Sequence, residues 1–363
     1  MKKNILFMID ALTSGGAEKV LLDLVNHLDK DKYSITLMTL ADVGSLKERI
    51  PNDIIYKSVF KNKLIYLIVM LLPAKILYKL FIKEEYDIEV AFVEGRSTKV
   101  ISGSKNSKSK KIAWLHIDLI NNHWTKPYFR GLNDERKCYS KFDKIICVSN
   151  EVKDAFISMF GIRKNVFFKQ NIINDMEIRK KANRDFDNCY KKNRFSIITI
   201  GRLNHQKGYD RLLKIVKRLN SEGIQFDLYI LGEGNEKTSL EKYINENNLS
   251  NVKLLGFNQN PYPYLKNADL FVSSSRSEGF STVVSEAIIL GIPIVTTNCA
   301  GMKELLGDNE YGIITENNSD ALYEGIKNII LNKDIYDSYK EKVLLRSKDF
   351  NLSNLLQEIE KLF

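Results

Sequence analysis

Short apolar runs, each followed by a stretch at helical spacing, recur along this chain in two separate series. The first comprises residues 5–9, 35–40, 88–93, 111–115 and 144–148, with a helix expected over 17–28. The second comprises 196–200, 227–231, 252–255, 270–273 and 292–296. Strands this apolar are buried on both faces, and helices between them imply right-handed crossovers and parallel sheets. Two series imply two doubly wound α/β domains, which 363 residues accommodate at ordinary domain size. Ligands of such sheets bind at the carboxyl ends of strands, so two facing edges would form a cleft. The expected layout is a first domain over 1–171, a charged connector over 172–194, a second domain over 195–345 and a closing helical segment over 346–363.

Composition excludes several classes. Hydrophobic residues at 44% and charged ones at 28% describe a globular chain able to bury two cores. Cys138, Cys147, Cys189 and Cys299 have no paired spacing and no neighbouring histidines, which reads as reduced thiols in a cytoplasmic protein. Asp10 interrupts the first apolar run after five residues, so that run reads as a strand and not a leader. The net charge of +10 is unevenly placed: residues 1–190 hold 33 Lys/Arg against 23 Asp/Glu, and the remainder 22 against 22. The first domain is therefore expected to meet an acidic partner, and no nucleic-acid motif accompanies the charge. Residues 64–74 carry no charge but fall short of the roughly 20 residues of a membrane span. Two readings stay open: a core helix of the first domain, or an apolar patch resting on a membrane with Lys61, Lys63, Lys75, Lys79 and Lys83 at its rim.

Three segments carry candidate chemistry. Ser275-Arg-Ser-Glu278-Gly279-Phe280-Ser281-Thr282-Val-Val-Ser-Glu286-Ala287 joins a short strand to a helix through small residues. A helix amino terminus of that kind offers free amides and the positive end of the macrodipole to an anion, while its two carboxylates suit sugar hydroxyls. The Glu-x7-Glu spacing alone is uninformative, since Glu233/Glu241 and Glu316/Glu324 share it without such context. Gly201-Arg202-Leu-Asn-His-Gln-Lys207-Gly208 follows the first strand of the second series. A guanidinium and an ammonium there suit a diphosphate, although most such cations are plain surface groups. Thr13-Ser14-Gly15-Gly16-Ala17-Glu18 links the first strand to its helix. The glycines allow close backbone approach, and Glu18 falls where it could bond back to a Gly15 cap. His116, after Ile112-Ala-Trp-Leu115, is placed at a strand's carboxyl edge. Leu231-Gly232-Glu233-Gly234 lacks the third glycine of a dinucleotide fingerprint. Asp185-Phe186-Asp187 has the letters of a metal motif but sits in the connector.

These segments, with Gly291-Ile-Pro-Ile-Val295 following the helix, resemble the signature of the retaining family-4 glycosyltransferases. The resemblance implies the GT-B architecture, two Rossmann-like domains facing across a cleft. It also implies transfer of a sugar from a nucleotide diphosphate donor to an alcohol, with no metal and no bound cofactor. A UDP-sugar is preferred to a GDP-sugar. Arg202 and Lys207 match the residues that neutralise the diphosphate; Gly279, Phe280, Ser281 and Thr282 supply amides. Glu278 holds the sugar near its reacting carbon, Glu286 holds the ribose, and Gly15 and Gly16 approach the donor from the other domain. His116 contacts the transferred sugar. The segment 169–174 departs from the family's Pro-Asn-Gly pattern, which leaves Asn171 without an assigned contact. The basic first domain points to a lipid-linked saccharide acceptor in surface or capsular polysaccharide synthesis, met at the inner face of the cell membrane. The alternatives are another GT-B enzyme, such as a sugar-nucleotide epimerase or a phosphorylase, and a non-catalytic nucleotide-sugar-binding scaffold.

Overall fold

The structure, a computed structural model, describes residues 2–13, 15–60, 69, 71–186, 190 and 194–363. It divides into two compact units, 1–172 with 352–363, and 173–351. In the first unit seven strands form one parallel sheet: β1 (Lys3–Ile9), β2 (Tyr33–Ala41), β3 (Ile55–Phe60), β4 (Ile88–Ala91), β5 (Lys110–Leu115), β6 (Lys144–Cys147) and β7 (Val166–Phe168). Their order is β3-β2-β1-β4-β5-β6-β7. The second unit holds β8 (Phe195–Ile200), β9 (Phe226–Leu231), β10 (Val252–Gly256), β11 (Leu270–Ser273), β12 (Ile294–Thr297) and β13 (Ile313–Thr315), all parallel, in the order β10-β9-β8-β11-β12-β13. Both sheets reverse strand order beside their first strand, between β1 and β4 and between β8 and β11. Crevices for ligands open at the carboxyl ends of strands at such a reversal.

Every expected strand forms, within two residues at either end. The strands β3, β7 and β13 were not expected. All three lie at sheet edges, and no residue of β3 is fully buried. An edge strand covered on one side lacks the apolar run that marks a central one.

The core of the second unit shows why the sheet attracts its helices. In the helix Tyr209–Ser221, Leu212, Leu213, Ile215, Val216 and Leu219 face inward onto Ile197, Leu228 and Leu270. Of the segment expected as a connector, Asp175–Ala182 is a helix capped by the Asn174 side chain, which accepts from the Glu177 amide at 2.9 Å. It packs against the helices Tyr262–Lys266 and Thr282–Ile289 of the second unit. The helix Leu352–Glu360 returns to the first unit. Phe363 meets Phe7 and Tyr33 edge-on at 5.9 Å, and the Lys110 and Lys144 ammoniums donate to the carbonyls of Phe363 and Leu362.

The segment 64–74 lies mostly outside the described residues. Just beyond it, the helix Ala74–Phe81 buries Leu77 and exposes Ile76 and Leu80, with Lys75 and Lys79 alongside. Among the described residues no helix is long and apolar enough to cross a membrane.

Candidate active site

In the second unit, the loops leaving β8 and β11 are stitched together. Gly208 takes a left-handed conformation (φ 67°), and a Cβ there would lie 2.2 Å from the Ser274 carbonyl oxygen. The buried Arg211 guanidinium donates to the carbonyls of Ser274 (2.8 Å) and Ser275 (2.6 Å). Arg276 grips Asp210 through two bonds of 2.8 Å and donates to the His205 carbonyl. The Ser274 hydroxyl donates to the Lys207 carbonyl. Loops whose carbonyls are held by side chains in this way are well fixed, as a preorganised site requires.

On that frame the Lys207 ammonium meets the Glu278 carboxylate at 2.6 Å, and the Ser275 hydroxyl donates to the same oxygen at 2.6 Å. Glu278 is buried and Lys207 half-buried. Lys207 runs across Gly201, where a Cβ would come within 3.1 Å of its Cε and 2.9 Å of the Tyr209 hydroxyl. Gly279 and Phe280 precede the helix Thr282–Ile289. Ser281 caps it, its hydroxyl accepting from the Val284 amide. Glu286, one turn in, is buried and accepts from the Tyr262 hydroxyl at 3.3 Å. Arg202 leaves β8 exposed, and among the described residues its guanidinium has no partner. The structure thus joins Lys207 to Glu278, a pairing not expected from the sequence. Ser275, Arg211 and the Arg276–Asp210 pair are site-building residues that sequence reasoning passed over. The repeated serines at 273–275 were the available signal, since small polar residues after a strand accept and donate within tight turns.

In the first unit, Gly15 caps the helix Gly16–His27 in an extended conformation. Glu18 accepts from the Thr13 hydroxyl at 2.6 Å. His116 follows β5, and its ring stacks obliquely on Phe92 at 5.0 Å. Burial pushes its imidazole down to about 3, against an opposing bond to the Phe92 backbone, so the ring is neutral at ordinary pH. Its Nε2 is buried with no partner among the described residues. Nearby, Asp10 at the end of β1 pairs with Arg96 at 2.8 Å, and Arg96 lies over the Tyr128 ring. Gly15, Gly16 and His116 therefore stand at the carboxyl ends of β1 and β5. Among the described residues no group of three or more His, Cys, Asp or Glu is placed to hold a metal ion.

Residues 14–168 match the family described as Glycosyltransferase Family 4, and residues 180–344 match Glycosyl transferases group 1. The chain belongs to the family-4 glycosyltransferases. Its relatives include the N-acetylgalactosamine-N,N'-diacetylbacillosaminyl-diphospho-undecaprenol 4-alpha-N-acetylgalactosaminyltransferase of Campylobacter jejuni, 32% identical over 61% of this chain and 60% of that protein. The Escherichia coli O-antigen biosynthesis glycosyltransferase WbnH is 25% identical over 97% of this chain and 96% of its own. Anabaena HepE, solved in complex with UDP-glucose, shares the fold over 99% of both chains, with a TM-score of 0.79 at 22% identity. The two parallel α/β domains of this glycosyltransferase are accordingly of the GT-B class, as expected from the sequence.

Proposed function

We propose that this glycosyltransferase moves a sugar from a UDP-sugar, with retention of configuration, onto a hydroxyl of a lipid-linked saccharide during surface polysaccharide assembly. The observation that carries the reading is the Lys207–Glu278 contact between the β8 and β11 loops, beside the amino end of the helix Thr282–Ile289. An ammonium has three donors, so Lys207 can keep Glu278 and still receive a phosphate oxygen. Arg202 adds a forked donor, and the amides from Gly279 to Thr282 add the helix's positive end. In the reaction the bond between the anomeric carbon and the phosphate oxygen breaks and UDP departs. The acceptor oxygen bonds to that carbon, and its proton passes to the departing phosphate. Lys207, Arg202 and the amides stabilise the charge that grows on the leaving group, with no metal in the scheme. Glu278 holds sugar hydroxyls and Glu286 the ribose. In the first unit, His116, Gly15 and Gly16 are the candidate substrate contacts.

The relatives support the acceptor and donor classes. The Campylobacter protein is named for transfer onto a diphospho-undecaprenol saccharide, the Escherichia coli one for O-antigen synthesis, and HepE was solved with UDP-glucose. The exposed Ile76 and Leu80 beside Lys75 and Lys79 support a peripheral station on the cytoplasmic membrane face. The test is incubation with a panel of UDP- and GDP-sugars and a crude lipid extract, with products weighed by mass spectrometry. A lipid-linked product one sugar heavier, formed from a UDP-sugar, is expected. Release of UDP without any glycosylated product would overturn the reading.

A further inference from the structure

Glu94 has no part in the reaction as written, yet it is buried three residues beyond β4, at the strand-order reversal of the first sheet. One of its oxygens accepts from the His116 backbone amide at 2.8 Å, and the other from the Trp124 indole at 3.0 Å. A single carboxylate therefore ties the start of the loop after β5 to a point eight residues further on. A second buried carboxylate secures the far side of that loop. Glu135 accepts from the Thr125 hydroxyl at 2.7 Å and meets the His123 ring at 2.8 Å. Between the two anchors Asp118 accepts from the Ile120 amide at 2.8 Å. Buried carboxylates are costly unless their lone pairs are used, and a surface loop held by two of them is held for its geometry.

We propose that Glu94 is a positioning residue for sugar transfer: by binding the His116 amide and the Trp124 indole together, it sets His116 and its loop at the carboxyl edge of β5. This rests on the glycosyltransferase reading, in which His116 touches the transferred sugar. A carboxylate offers both N–H groups a charged acceptor; protonation leaves one oxygen a hydroxyl, a weaker acceptor for its N–H. The titratable groups coupled to it by charge are Asp10 after β1, itself paired with Arg96, Tyr139 on the helix Leu132–Tyr139, and Cys147 on β6. Burial raises the Glu94 carboxyl to about 7, against the pull of its two N–H donors, with the Asp10 charge adding to the rise. Burial also raises Tyr139 and Cys147, which keeps both neutral across the working range.

The test uses the full chain and two readouts. In the ¹H–¹⁵N spectrum, the Trp124 indole resonance, assigned by its loss in Trp124→Phe, should move with pH with a midpoint near 7 and stay still in Glu94→Gln. With the UDP-sugar turned over by the wild type, Glu94→Gln should lose about tenfold to a hundredfold in kcat, the scale of a slightly misplaced group. The KM for that donor should change less than threefold, and the rise of rate through pH 7 should vanish. Should Glu94→Gln fail to fold, Trp124→Phe removes one of the two bonds and should show a smaller kcat loss with the same KM. An indole resonance indifferent to pH, or a Glu94→Gln enzyme with wild-type kcat and pH profile, overturns the proposal. A wild type inert toward every donor of the panel counts against the parent reading instead, and the indole titration still decides the Glu94 contacts.

Discussion

At the strand-order reversal of the second sheet, Lys207 and the Ser275 hydroxyl meet the Glu278 carboxylate, while Arg211 holds loop carbonyls and Arg276 pairs with Asp210. At the reversal of the first stand the half-buried Asp10 and the buried Glu94, with a neutral imidazole close by at His116. The two sheets share a topology, so the fold does not decide what each crevice receives. The residues do. A cationic rim with a helix amino terminus suits a diphosphate, and a carboxylate-held loop with unfilled acceptors suits hydroxyls. The reversal point supplies a crevice, and each unit has filled its own with a different chemistry.

The sharpest way to break this contrast is to remove the cation of the second crevice. Lys207→Ala should lower kcat by about a hundredfold to a thousandfold, the usual cost of one strong transition-state donor. It should also weaken UDP binding in calorimetry. The same substitution strands Glu278 without its ion pair, so Lys207→Arg serves as the partner experiment. A planar fork in place of a point charge should restore UDP binding more than turnover. If Lys207→Ala binds UDP as the wild type does, the second crevice is not the diphosphate site.

The first crevice has a stability signature in Glu94. The Glu94 carboxyl is raised from the ordinary 4.5 to about 7, so the folded state favours the protonated form. Stability from this group is fully present below about 4.5 and is lost as pH rises through about 7. The wild type should therefore lose about 3 kcal/mol relative to Glu94→Gln between pH 4.5 and pH 8. Urea unfolding of both proteins at the two pH values measures the difference. The carboxylate that the loop geometry requires is the form that burial disfavours, a conflict typical of groups retained for function. A pH-independent difference between the two proteins would mean that Glu94 titrates normally.

How much of this was legible beforehand follows from distance along the chain. Central strands announce themselves because both faces are buried; β3, β7 and β13 do not, since an edge strand shares its residues with solvent. The segments around Gly201 and Glu278 were readable one by one, because each contains its own strand end and turn residues. Their meeting was not: Lys207 and Glu278 lie 71 residues apart, joined only because β8 and β11 are neighbours. Glu94 was invisible for the same reason. Its partners lie 22 and 30 residues away, and nothing local to a lone Glu after a strand distinguishes it from a solvated one.

The walls of the second crevice are fixed by close approach of its loops. In the second unit the approach is backbone to backbone. Gly208 faces the Ser274 carbonyl, and Gly232 (φ 151°) faces Gly201, where a Cβ would lie 1.8 Å from its carbonyl oxygen. The Gly-x-Gly after β9 is thus a packing device between the β8 and β9 loops. Gly208→Ala combines a left-handed backbone with a clash that neither loop can relieve, and should cost about 2 kcal/mol in urea unfolding. The damage should reach Lys207, one residue away, and weaken UDP binding. An alanine tolerated there without loss would mean that the two loops can separate.

The smallest expected effect concerns the outer surfaces. The first 190 residues carry the whole charge excess, and the helix Ala74–Phe81 combines exposed Ile76 and Leu80 with Lys75 and Lys79. If that helix rests on lipid, Lys79→Gln should weaken binding to anionic phosphatidylglycerol vesicles by about fivefold at low salt, the share of one cation near such a surface. The loss should fade at high ionic strength, where screening shortens to a few ångströms. Lys217→Gln, an equally exposed cation on the second unit, is the control and should change nothing. Equal losses from both would assign the binding to overall charge and detach it from this helix. No binding by the wild type at low salt would remove the membrane from the scheme while leaving both crevices as described.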